Sequence, residues 1–143
     1  MILNLDKALE KRANRNEPKF FWAIDLHRTI IYPTYDNSAG FVFYPYARQT
    51  LEYISNLENH VLILYTSTHD NEVKRILHFL ESNGINFKYV NENPECPSTA
   101  LCNFERKFYF DVLIDDKAGF DPEKDWNELY MALGWLDQED KLV

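Results

Sequence analysis

Phe20-Phe21-Trp22-Ala23-Ile24-Asp25-Leu26-His27-Arg28-Thr29-Ile30 is the stretch that decides the fold. Its first five residues are apolar without polar alternation, so a strand built from them leaves neither face for water. The run then stops at an aspartate. A strand buried on both faces belongs inside a parallel sheet, and its carboxyl end lies where such sheets bind ligands.

The same punctuation recurs along the chain. Val61-Leu62-Ile63-Leu64-Tyr65 ends at Thr66-Ser67, and Phe108 to Ile114 reads as a strand ending at Asp115-Asp116. Residues 70–83 carry Val73, Ile76, Leu77 and Leu80 at i, i+3, i+4, i+7, with Gly84 at the stop position of a helix. Residues 46–58 repeat that spacing with Ala47, Leu51, Ile54 and Leu57, and Phe87 to Val90 is a short strand. A closing helix is expected over 123–133, carrying Trp126, Leu129 and Tyr130. Ahead of the first strand, residues 3–14 form an amphipathic helix with Leu3, Leu5, Ala8 and Leu9 on one side, broken between Asn14 and Pro18.

Strands alternating with helices predict an α/β fold, a Rossmann-like three-layer α/β/α sandwich around a mostly parallel sheet with right-handed crossovers. A single domain is expected over residues 1–143. The extra helix lies within 1–16, the core spans 19–133, and a short flap hairpin occupies about 31–45. That hairpin follows from Ile30-Ile31-Tyr32 and Gly40-Phe41-Val42-Phe43-Tyr44, which flank the turn-rich residues 36–40.

A chain of 143 residues is long enough to bury a sizeable core. Its net charge of −8 argues against a duplex nucleic acid partner, which needs a basic face. A small phosphorylated ligand stays compatible, because a metal and one or two lysines reverse the potential locally. No apolar run approaches the roughly 20 residues that cross a bilayer, and the mixed-charge amino terminus lacks a signal-peptide core, so a cytoplasmic location is expected. Cys96 and Cys102 lack zinc-pair spacing and read as free thiols. No glycine-rich phosphate loop is present.

If the three punctuated strands are neighbours, Asp25, Thr66 and Asp115-Asp116 converge at one sheet edge. Converging carboxylates repel unless a cation sits among them. Hard oxygen ligands with open positions suit Mg²⁺, which keeps water and binds substrate phosphate.

At these positions the chain resembles the haloacid-dehalogenase-like superfamily. Ala23-Ile24-Asp25-Leu26-His27-Arg28-Thr29-Ile30 looks like its first motif, a strand followed by Asp-x-Asp-x-Thr. Leu62 to Ser67 resembles the second, an apolar strand ending in Thr or Ser. Arg106-Lys107 fits the third-motif lysine, and Asp111 to Asp116 resembles the fourth, a strand ending in paired acids. Order and spacing agree over about residues 19–133.

The resemblance implies a Mg²⁺-dependent phosphohydrolase or phosphotransferase in which Asp25 attacks phosphorus and becomes an aspartyl-phosphate. It makes Asp25, Asp115 and the His27 backbone carbonyl metal ligands. Asp116 would ligate through water or orient Lys107. Thr66 and the Ser67 amide would hold the phosphoryl oxygens while Lys107 balances their charge. Lys88 is an alternative for that lysine, and Lys74 belongs to an exposed helix face.

One position departs from the pattern: His27 stands where the family has its second aspartate, the general acid and base. Three readings compete there. The histidine shuttles the proton itself, or it slows hydrolysis of the acyl phosphate, or the site binds metal and phosphate without efficient turnover. The superfamily often carries a cap domain, for which this chain has no room. An open site admits large phosphorylated substrates or relies on a partner to exclude water. The hairpin aromatics Tyr32, Tyr35, Phe41, Phe43, Tyr44 and Tyr46 would stack on a base, pack on the domain, or join a second subunit in a homo-oligomer.

Overall fold

The apolar run at residues 20–24 becomes an inner strand of a four-stranded parallel sheet. The structure, a computed structural model, describes residues 4–15, 17–33 and 40–142. In chain order the elements are α1 (Leu5–Asn14), β1 (Phe20–Asp25), α2 (Ala47–Ser55), β2 (His60–Tyr65), α3 (Asp70–Ser82), β3 (Phe87–Val90), β4 (Val112–Ile114) and α4 (Asp125–Gln138). The strand order is β3-β2-β1-β4, and every pairing is parallel. This is the Rossmann-like α/β fold expected from the strand–helix alternation, without a separate cap among the described residues. No described helix is long and apolar enough to cross a membrane.

Side chains alternate across a strand, so each strand feeds two layers. Phe20, Trp22, Ile24, Leu62, Leu64 and Ile114 share one core with the buried residues of all four helices. Phe21, Val61 and Ile63 face the other way, against Tyr89, Cys96, Phe108 and Tyr109. A right-handed crossover from β3 to β4 must cover the face opposite α2 and α3. Residues 91–111 do this without forming a regular helix. Glu95 fastens that connection by accepting from Lys19, Lys88 (3.0 Å) and Tyr89 (2.7 Å). The Lys19 bond, joined by the other two, holds the Glu95 carboxyl down at about 2.

Several elements differ from the sequence reading: the helix expected over 46–58 spans Ala47–Ser55, and the last strand and last helix have other bounds. The fourth strand covers Val112–Ile114 rather than 108–114. The Asp111 carboxylate accepts the Phe21 amide at 2.7 Å in place of a backbone carbonyl, which ends the ladder. The aromatic residues before it pack inward as loop. The last helix runs on to Gln138, because Trp126, Leu129, Leu133 and Leu136 continue one buried stripe. Tyr130 sits at the border of that stripe, exposed, against the rings of Tyr46 and Tyr53.

Among the described residues the expected hairpin shows one antiparallel bridge, Ile31 to Phe43, with amides of Tyr32 and Tyr44 donating to Val42 and Ile30. Tyr32 stacks on Tyr44 with centroids 3.9 Å apart, and Phe41 and Phe43 both meet Phe79 of α3. With Tyr46 against Tyr130, five of the six hairpin rings are therefore engaged within the chain. Most of the turn, with Tyr35, lies outside the described residues, as does Leu3.

His60 opens β2 as a buried relay. Trp22 Nε1 donates to His60 Nδ1 at 3.0 Å, and His60 Nε2 lies 2.8 Å from the Leu142 carbonyl. Both bonds are satisfied when the ring is neutral with its proton on Nε2. Burial pushes its pKa below 6.5, the Arg12 charge adds to this, and the Leu142 carbonyl opposes it. A histidine with a depressed folded pKa stabilises fully above 6.5 and loses that contribution as pH falls through the folded value. Proton NMR should show His60 titrating below 6.5, and the stability advantage of wild type over His60→Gln should narrow on acidification. A His60 midpoint at or above the ordinary value would contradict the relay.

Candidate active site

β1, β2 and β4 finish at the same sheet edge. Asp25 is the register partner of Tyr65, and Ile24 is the partner of Ile114, so Asp115 follows directly beside Asp25. The register thus gathers acids that lie 90 residues apart in the chain, and carboxylate oxygens of Asp25, Asp115 and Asp116 all fall within 4.8 Å of one another.

Thr29 ties the three together. After Asp25 the chain turns sharply, with the Leu26 carbonyl accepting the amides of Ile30 (2.8 Å) and, more weakly, Thr29 and Ile31 (3.3 Å each). Arg28 adopts the left-handed region at φ 66° to make this turn. Thr29, fully buried, returns its hydroxyl to donate to Asp25 Oδ2 at 2.9 Å. Thr29 Oγ1 also accepts the Asp116 amide at 3.1 Å and lies 3.3 Å from Asp116 Oδ1. Its single proton favours the shorter bond to Asp25. From below, Trp126 Nε1 donates to the Thr29 carbonyl at 2.7 Å, which couples α4 to the turn. Asp115 is fixed separately, its Oδ1 accepting the Lys117 amide at 3.0 Å.

This crowding shows in the electrostatics. Burial pushes the Asp25 carboxyl up to about 6, and the Asp115 charge and nearby Asp116 carboxyl push the same way. The Thr29 hydroxyl and Leu26 amide oppose them. A hard divalent cation among the three acids removes the repulsion and matches an all-oxygen donor set. The residues present fit Mg²⁺.

Thr66 lies one residue beyond the Asp25–Tyr65 pair. Its hydroxyl bonds that of Thr68 at 2.8 Å, and Ser67 is exposed beside it. Asn91 clamps the Thr66 backbone at both ends: its Oδ1 accepts the Thr66 amide at 2.8 Å and its Nδ2 donates to the Thr66 carbonyl at 2.7 Å. Sequence reading passed over Asn91. The available signal was an asparagine straight after the strand ending at Val90, a residue type that tolerates the left-handed φ of 55° found there. Thr29 was visible within the quoted motif, but its place under both acids was not.

His27 is half-buried, and its Nδ1 is buried without a hydrogen-bond partner. Burial lowers its pKa from 6.5, against the opposing charge of Glu72. The parallel bridge from His27 to Ile31 is made by the Ile31 amide to Leu26 and the Arg28 amide to Ile31, so the His27 carbonyl takes no part in it.

Lys107 is not brought to the acids by any contact among the described residues. It is exposed on the 91–111 connection, along a cleft with Cys102, Phe104 and Phe110. Lys88 is committed to Glu95, and Lys74 is exposed on α3. The structure therefore gathers Asp25, Asp115 and Asp116, sets Thr66 on the same edge, and leaves Lys107 without a contact to them among the described residues.

No protein-family model and no curated protein matches the chain. A solved structure does match, described as that of the conserved protein coded by locus from Bacteroides thetaiotaomicron. It is 24% identical, covers 85% of this chain and 92% of that one, and superposes with a TM-score of 0.62. The two share a fold. At that identity the likeness speaks for the architecture and leaves the chemistry to be argued from the residues of this chain.

Proposed function

We propose that the chain is a Mg²⁺-dependent phosphohydrolase or phosphotransferase of the haloacid-dehalogenase-like kind, working through an aspartyl-phosphate on Asp25. The convergence of Asp25, Asp115 and Asp116 oxygens within 4.8 Å carries this reading. Asp25, Asp115 and the His27 carbonyl would hold the metal, with Asp116 in reach through water. When bound, Mg²⁺ supplies charge neutralisation for the phosphate oxygens.

Asp25 attacks phosphorus as the bond to the leaving oxygen breaks, which phosphorylates the carboxylate and expels an alkoxide or phenoxide that takes a proton from solvent. Water, or an acceptor hydroxyl, then attacks the acyl phosphate, which frees inorganic phosphate or the new phosphoester and regenerates Asp25. Such transfers rest on positioning and charge compensation more than on acid–base power. Thr66 and the Ser67 amide would bind phosphoryl oxygens, with Lys107 as the added cation. His27 takes the acid–base position, and its imidazole, kept neutral by burial, is suited to accept the proton of the attacking water.

His27 also motivates the second reading, a site that binds metal and phosphate without efficient turnover. Phosphate release from p-nitrophenyl phosphate separates the two. Activity that requires Mg²⁺ and disappears with chelator supports the first. No turnover across a broad phosphoester panel, with turnover restored by His27→Asp, supports the second. An acid–base group is worth ~10²–10⁴ in rate, which is the gain expected in that rescue.

A further inference from the structure

We infer that Tyr65, with Phe108 behind it, is a stacking wall beside Asp25, and that the substrate is a phosphomonoester whose esterified group carries a flat ring. This rests on the reading of Asp25 as the phosphate site. Tyr65 is the register partner of Asp25, and neighbouring parallel strands lie about 4.8 Å apart. Ile24 and Leu64, one residue earlier in each strand, both turn into the helical core. By alternation, Asp25 and Tyr65 leave the sheet on the opposite face, side by side.

The ring has no structural use that accounts for it. The five residues before it in β2 are buried, whereas Tyr65 is 43% exposed. Tyr32, Tyr53, Tyr89 and Tyr109 each donate to a carboxylate, but among the described residues the Tyr65 hydroxyl has no hydrogen bond. Its ring contact is Phe108, with centroids 6.0 Å apart, and Phe108 in turn meets Phe110 at 5.7 Å. A row of aromatic rings therefore leads away from the acids with one ring open to solvent. Arg106 and Lys107 directly precede Phe108 and line clefts that Phe108 borders. An anionic ester with an aromatic tail would meet the carboxylate cluster and its metal at one end and the ring faces of Tyr65 and Phe108 at the other.

The test is calorimetric titration of the whole protein, in Mg²⁺, with three phosphonates that cannot be hydrolysed: propylphosphonate, benzylphosphonate and the 5′-phosphonate analogue of adenosine monophosphate. Stacking on an aromatic side chain is worth about tenfold in affinity. Both ring-bearing ligands should bind about tenfold tighter than propylphosphonate, Tyr65→Ala should erase the difference, and Tyr65→Phe should keep it. The tighter of the two ring ligands distinguishes a nucleobase from a simple aryl group. Equal affinity for all three, or a ring preference that survives Tyr65→Ala, overturns the inference while leaving the phosphate site standing. Failure of propylphosphonate and inorganic phosphate alike to bind would overturn the phosphate site itself, and the inference with it.

Discussion

Asp25→Asn is expected to reduce phosphate release to background, a loss on the order of 10⁴-fold or more, while leaving the fold as stable as wild type. The amide is the same size as the carboxylate, and its oxygen can still accept from Thr29, which now donates at 2.9 Å. What it lacks is the nucleophile and one metal oxygen. Stability should be retained or raised, because burial and the neighbouring Asp115 already oppose a charge at residue 25. The two readouts together, single-turnover phosphate release and the thermal midpoint, separate lost chemistry from lost structure. Metal-dependent activity that persists in Asp25→Asn would end the nucleophile assignment.

Trp126→Ala is expected to have the largest effect on stability, about 3–5 kcal/mol. The indole is fully buried and packs edge-on against Phe120 with centroids 4.9 Å apart. Its Nε1 also supplies the Thr29 carbonyl with a 2.7 Å bond. Removal leaves both a cavity and an unpaired buried acceptor beneath the turn that follows Asp25. Trp126→Phe restores much of the volume without the donor and should cost about 1–3 kcal/mol, the penalty of the orphaned carbonyl. Because that carbonyl belongs to Thr29, the Phe variant should also weaken Mg²⁺-dependent turnover at temperatures where it is fully folded. Chemical denaturation with activity measured on the folded fraction checks both; a Phe variant equal to wild type in each would show that the bond is idle.

The framework was legible because its signals are local. Runs such as 20–24 and 61–64 cannot be exposed on either face, so they had to be inner strands, and the polar residues after them marked the sheet edge where the acids gather. The helical stripe Val73, Ile76, Leu80 came through for the same reason, and all three residues are buried. Residues 108–110 misled because aromatic content suits a strand equally well as a loop packed on a sheet face, and the Asp111 side-chain bond that ends the ladder has no sequence signature. Tyr130 misled because helical spacing fixes an angle, whereas the neighbours fix how wide the buried stripe is.

At the site, Asp25, Asp115 and Asp116 could be named because each follows an apolar strand. Asn91 could not, since its role comes from the pairing of β3 with β2, a non-local fact. Thr29 stood in plain view, but its link to Asp116 spans 87 residues. Lys107 was named by its distance ahead of the last strand, and that distance does not fix where an irregular connection carries the side chain.

The decisive measurement is a crystal structure of the protein with Mn²⁺ and a fluoride-based phosphoryl mimic, the ion located by anomalous scattering. One ion should appear among the oxygens of Asp25, Asp115 and the His27 carbonyl, with the mimic in line against an Asp25 oxygen and Thr66 at its far side. An ion bound elsewhere, or these acids left bare while the mimic sits on another surface, would contradict the account.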